Sequence, residues 1–186
     1  MDTYGQCAWD ACELPAKSSY SSSKSKYCNQ HAREARERFM ANRDEQSAKR
    51  AKRYEGYAKL WREAVEVGAK AFEDAKPVPM VVTQHATLFD DSSEVVQSWD
   101  VPEGVCGFAW LTTRPGNSSF AHWAKKNLGA SRDYYGGLRI NLPVGRSSQS
   151  MARKEAAAYA MAEVLREGLE EMGETRVKVY GHSRID

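Results

Sequence analysis

Four side chains with soft, metal-binding atoms fall within 25 residues near the start of the chain: Cys7, Cys12, Cys28 and His31, in the pattern C-x4-C-x15-C-x2-H. Zinc requires a closed tetrahedron of thiolate and imidazole. Four protein ligands leave no open position for a reactive water, so the pattern predicts one structural Zn2+ and argues against a catalytic one. One short loop supplies Cys7 and Cys12, and a Cys-x2-His turn entering a helix supplies Cys28 and His31. The run SSYSSSKSKY between the two halves cannot build a core and is tolerable as a loop pinned at both ends. The competing readings are a disulfide pair and three unrelated thiols. Three clustered cysteines and a histidine are not an even disulfide set, and Met1 to Ala11 has neither the basic start nor the apolar core of an export signal.

Other residues with reactive potential are less well placed. Cys106 has His85, His122 or His182 as a conceivable base, but a lone cysteine inside GVCGFAW reads as a small buried residue. Asp90 and Asp91 in LFDDSSE lack further carboxylates at fixed spacing and read as a polar turn. The chain contains no glycine-rich phosphate loop, nucleophile elbow or HExxH. The expectation is a protein without catalytic residues.

The stretch C-x4-C-ELPA, followed by a variable loop and KYC-x2-H, resembles the short zinc fingers found in small proteins of actinobacteria and their phages. The resemblance covers Cys7 to about Arg36. It implies a metal site leading into a basic helix, often beside nucleic-acid-processing domains.

The elements that must carry these residues follow from composition and periodicity. The chain has 186 residues, 41% hydrophobic and 28% charged, with a formal net charge of +2. Between Lys17 and Arg62, however, 13 Lys and Arg face five acids, so the first third is locally +8. From Ala32 to Ala75 no proline interrupts, and Ala, Glu, Arg and Lys dominate, predicting one long helix or two in series. Its second half carries an apolar stripe of Tyr54, Tyr57, Ala58, Trp61, Val65, Gly68 and Phe72, suited to docking or to a coiled-coil dimer. Its first half is nearly devoid of apolar residues and presents Arg36, Arg43, Lys49, Arg50, Lys52 and Arg53. Point charges on a rod need no pocket to lie along a phosphate backbone, so nucleic acid, DNA or RNA, is the expected partner. A solvated helix held by pairs such as Glu45 with Lys49 is the plain alternative.

Lys76-Pro-Val-Pro79 ends the helix and divides the chain into a zinc knuckle (1–31), a helix (32–75) and a C-terminal domain (77–186). Strands are predicted over Met80–His85, Gly104–Arg114, Gly137–Val144 and Thr175–Gly181, and helices over Ser118–Leu128 and Ser150–Met172. Leu88–Asp100 reads as a polar connection. The fold class is α+β, a small sheet packed by two helices on one face. Within it Lys125, Lys126, Arg132, Tyr134 and Tyr135 mix cations with aromatics, as do Arg139, Arg176, Lys178, His182 and Arg184 further on; such mixtures stack on bases and neutralise phosphates.

This domain also resembles an uncharacterised family of small phage proteins, through PMVVTQH, VPEGVCGFAW, RPGNSSFAHWAKKN, YYGG, the SQSMARKEAAAYAMAEVLRE helix and the closing SRID. The resemblance implies a phage accessory protein that acts on nucleic acid or a host nucleoprotein complex. The rival reading is a protein-binding inhibitor of a host enzyme. No uncharged apolar run approaches ~20 residues, and the chain reads as cytoplasmic, without a membrane partner.

Overall fold

The computed structural model describes residues 6–14, 16 and 26–186. Most of the serine-rich loop, with Lys17 and Lys24, lies outside them. The chain divides into two compact units, Met1–Arg53 and Tyr54–Asp186. The division falls inside one continuous helix, α1 (Asn29–Asp74), rather than at Lys76-Pro-Val-Pro79, although the helix does stop just before that proline-rich segment.

The reason lies in the second half of α1. Tyr57, Leu60, Ala64 and Gly68 recur at three- and four-residue steps and are all buried. They join a core of α2 (Ser119–Asn127), α3 (Met151–Glu171) and the sheet. The stripe read from sequence is therefore used within the chain, and its centre is Leu60 and Ala64, which that reading omitted. Two glycines let the helices approach: a Cβ on Gly68 would run into Met161, and one on Gly168 into Leu60. Tyr57 is fully buried, meets the Phe120 ring edge-on at 5.4 Å and donates its hydroxyl to Glu174.

Four antiparallel strands form the main sheet in the order β4-β5-β3-β6, from β3 (Gly107–Arg114), β4 (Ser131–Arg132), β5 (Leu138–Asn141) and β6 (Lys178–Ile185). Leu111, Leu138, Ile140 and Val179 point into the core, where α3 packs across β3 and β6. The α+β class and the one-sided helices follow from this alternation. Ser118 caps α2 by accepting the Ala121 amide at 3.1 Å, and Gly173, at φ +81°, ends α3 in the left-handed conformation that glycine tolerates.

β1 (Met80–His85) lies where the sequence predicts a strand, but β2 (Val95–Val101) departs from expectation. They form a separate antiparallel pair, with β2 occupying what reads as a polar connection. Val95, Val96 and Trp99 favour extended backbone, but both faces of this hairpin are largely exposed, so no alternation of polar and apolar residues marks it in the sequence. Strand ends also shift: Gly104 sits in a turn at φ +68°, Cys106 makes an isolated bridge to Ser150, and β6 runs on through Ser183 and Arg184.

Candidate metal centre

Cys7, Cys12, Cys28 and His31 come together as the sequence predicts, with their ligand atoms all within 4.8 Å of one another. Local backbone chemistry explains how. The Cys7 amide donates to the Leu14 carbonyl at 3.1 Å and the Cys12 amide to that of Trp9 at 3.1 Å, closing a tight knuckle in which Ala11 adopts φ +58°. The Ala8 amide bonds to the Lys26 carbonyl at 2.8 Å and ties the two halves together. Cys28 stands at the threshold of α1, where its carbonyl accepts the Ala32 amide at 2.8 Å. Three residues on, His31 shares its face of the first turn.

The Nδ1 atom of His31 lies 3.4 Å from the sulfurs of both Cys7 and Cys28, and the Cys12 and Cys28 sulfurs are 4.0 Å apart. The Cys28 amide donates to the Cys7 sulfur at 3.2 Å. Burial alone would push the Cys7 thiol up. Hydrogen bonds involving the Cys28 and Trp9 amides, His31 and Cys12 outweigh it and lower its pKa from 9.0 to about 6. At Cys12 the Leu14 amide favours the thiolate, but burial and the neighbouring Cys7 and Cys28 sulfurs prevail and push the thiol up. Such a cluster can hold a metal ion. Cys7 and Cys28 are buried and Cys12 and His31 half-buried, which keeps the site closed. Cys106, read from the sequence as a small buried residue, is instead exposed, and its thiol donates to Gln149 Oε1 at 3.4 Å.

Two residues of this centre were not singled out by sequence reasoning. Trp9 stacks on His31, and the Arg38 guanidinium lies over the other ring partner, 4.6 Å from the Trp9 centroid. The available signal was an aromatic residue inside the Cys-x4-Cys loop.

The remaining predicted residues occupy several surfaces. Arg36, Arg43, Lys49, Arg50, Lys52 and Arg53 are all exposed on α1. Arg43 pairs with Asp44 at 3.6 Å and Lys49 with Glu45 at 2.6 Å, and Arg53 is also engaged. Lys125 and Arg132 line a cavity of about 530 Å³ with Asn117 and His122, whereas Lys126 is exposed in the last turn of α2 and is not part of that lining. Tyr134 and Tyr135 are 92% and 80% exposed in the turn after β4, which Gly136 and Gly137 close at φ +88° and +90°. The structure thus joins Lys125 to Arg132 and leaves the two tyrosines exposed beside them in sequence, their rings meeting edge-on at 5.1 Å.

The three histidines proposed as partners of Cys106 are engaged elsewhere. His85 bonds to the Ser93 carbonyl at 2.8 Å, His122 to the Ser118 carbonyl at 2.9 Å, and His182 stacks on Trp110. Asp90 closes a polar turn by accepting from the Ser92 hydroxyl and amide, which hold its carboxyl below the usual range. Among the described residues no helix is long and apolar enough to cross a membrane. Compared with known proteins, the chain matches no family model, no curated protein and no solved structure.

Proposed function

We propose that this chain is a zinc-stabilised, non-enzymatic nucleic-acid-binding protein, an accessory protein of the phage type that its C-terminal residues resemble. The observation that carries the reading is the first half of α1. Every buried residue of that helix lies at or beyond Tyr57, so the turns from Asn29 to Arg53 serve no core, yet they carry eight Lys and Arg against four acids. A helix that is neither buried nor charge-balanced is suited to a polyanion.

Zinc is the metal that best fits the donors. Bonds of ~2.3 Å to sulfur and ~2.0 Å to nitrogen in a tetrahedron give S···N edges of about 3.5 Å and S···S edges of about 3.8 Å, close to the 3.4 and 4.0 Å separations here. When bound, the ion supplies folding energy to a segment with little core of its own. Cys7, Cys12, Cys28 and His31 hold it, and α1 begins from that anchor.

The test is fluorescence anisotropy of labelled duplex and single strands against the purified full chain as salt is raised. Neutralising three to five phosphates gives a logarithmic slope of roughly -3 to -5 on duplex. Absence of binding at low salt would overturn the reading. A second reading, a protein-binding inhibitor, draws on the β1–β2 hairpin, where Leu88 and Phe89 stand 80% and 96% exposed at the tip. A salt-tolerant complex with one purified protein, lost on Phe89→Ser, would favour it.

A further inference from the structure

The helices of the second unit cover one face of the four-stranded sheet. On β6, Gly181 lies against Tyr159 and Ala158 of α3, and the Ser183 hydroxyl donates to Glu155 at 2.7 Å. The even-numbered residues of β6 therefore point away from α3. By register, Tyr180, His182 and Arg184 sit opposite Thr112, Trp110 and Phe108 of β3, and Lys178 opposite Arg114. Arg139 of β5 flanks Thr112 on the other side, next to Trp110.

This face has two properties that an ordinary solvated sheet surface lacks together. Its aromatic rings form a connected platform: Trp110 stacks on His182 with centroids 5.8 Å apart, and Tyr180 follows at 6.4 Å. Phe108 and Tyr180 are each 43% exposed. Within the strands its charge has one sign. Arg114, Arg139, Lys178 and Arg184 occupy outward strand positions, Asp133 and Asp186 follow only where the β4–β5 and β3–β6 ladders end, and none of the four cations is in an ion pair among the described residues. The Arg139 guanidinium lies over the Trp110 ring from the β5 side, 4.3 Å from its centroid, while His182 stacks on it from the β6 side, so the indole anchors a cation and an imidazole on this face. In the middle of the face Thr112 is only 1% exposed, and its Oγ1 has no hydrogen-bond partner.

We infer that this sheet face is a platform for single-stranded nucleic acid, with bases stacked on the exposed rings of Tyr180 and Phe108 and phosphates held by Arg139, Arg184 and Lys178. The inference rests on the nucleic-acid reading above and deepens it by naming a second surface and the strandedness of its ligand. Duplex DNA offers its base faces only at its ends, whereas a single strand exposes each base to a ring and each phosphate to a neighbouring cation. Stacking and charge do not read the sugar, so DNA and RNA strands are held alike.

The test uses the full chain with labelled oligothymidylate and oligouridylate, each about ten nucleotides long, and with a duplex. Tyr180→Ala is expected to weaken binding of both single strands about 5- to 100-fold and leave duplex binding unchanged. Arg139→Gln should lower the magnitude of the salt slope on single strands by about one. Near-ultraviolet circular dichroism checks the fold of each variant; if Tyr180→Ala alters it, Arg139→Gln and Arg184→Gln carry the test. Single-strand binding untouched by these changes but lost on neutralising the α1 cations would overturn the platform and leave the nucleic-acid reading intact. Failure of the wild-type chain to bind any nucleic acid would remove both. A preference above about tenfold for one sugar, or equal loss of duplex binding in Tyr180→Ala, would also overturn the platform.

Discussion

Trp9 lies flat on His31, with ring centroids 4.8 Å apart and planes within 6° of parallel. Tyr27 meets the same indole edge-on at 6.0 Å, and Arg38 reaches back from α1 to lie over it. The imidazole is thus held by a ring, and the ring by a cation from the helix that the imidazole begins. Groups that orient a metal ligand contribute about 10- to 100-fold to metal affinity. Trp9→Ala should weaken metal binding by that much in competition with a chromogenic chelator, while Trp9→Phe keeps most of it. Equal affinities for all three proteins would leave the stack without a role at the metal.

Elemental analysis should find one zinc per chain, and Cys28→Ser should abolish it. The Cys28 sulfur lies 3.4 Å from His31 Nδ1 and 4.0 Å from the Cys12 sulfur, so Cys28→Ser removes the ligand that neighbours both while the residue-28 amide stays. The core of the second unit includes none of the four ligands. Chelation is therefore expected to abolish the fixed environment around Trp9 while the near-ultraviolet signal from the buried Trp123 persists. Stoichiometric metal in Cys28→Ser would sink the assignment.

In the folded knuckle the Cys7 thiol is lowered from 9.0 to about 6, so its contribution to stability is complete above pH 9 and is lost as pH falls through about 6. Cys12, pushed the other way, gives up its proton on metal uptake. Chelation opens the knuckle and removes the hydrogen bonds that favour the Cys7 thiolate, so thiolate absorbance of the chelated chain should rise in the ordinary thiol range near pH 9. A step near pH 6 that disappears in Cys7→Ser would show instead that the knuckle stays folded without metal.

The sequence was most legible where one chemistry dominates. Four ligands at fixed spacing, the proline-free run of α1 and the strand composition of Met80–His85 each point one way. β2 escaped notice because a hairpin exposed on both sides has no reason to alternate. The unit boundary escaped because proline marks where a helix stops and says nothing of which residues the helix packs against. The basic aromatic sheet face was half visible, in Arg139, Lys178, His182 and Arg184. Only the register of β3 against β6 and β5 places Trp110, Phe108 and Tyr180 among them.

That packing makes a sharp prediction about fragments. Residues 54–186 should unfold cooperatively as an independent unit, whereas residues 77–186 lack Tyr57, Leu60, Ala64 and Gly68 and should lose near-ultraviolet circular dichroism. Tyr57→Ala removes a fully buried ring that meets both rings of the stacked Phe120–Trp123 pair edge-on, and should cost about 3 to 5 kcal/mol in denaturant unfolding of the full chain. A shorter fragment as stable as the longer one would show that the core closes without α1.

The charges of the first half of α1 can be tested apart from its fold. Lys49, Arg50, Lys52 and Arg53 lie within two turns, all exposed and upstream of the first buried residue, Tyr57. Converting the four to Gln keeps helix propensity and removes the positive field. Surface pairs such as Lys49 with Glu45 contribute about 0.3 to 0.5 kcal/mol, so helicity should not change measurably. Duplex binding should weaken, and its salt slope should become shallower by up to about four. Unchanged affinity and slope would remove the arm as the phosphate contact and favour the protein-binding reading.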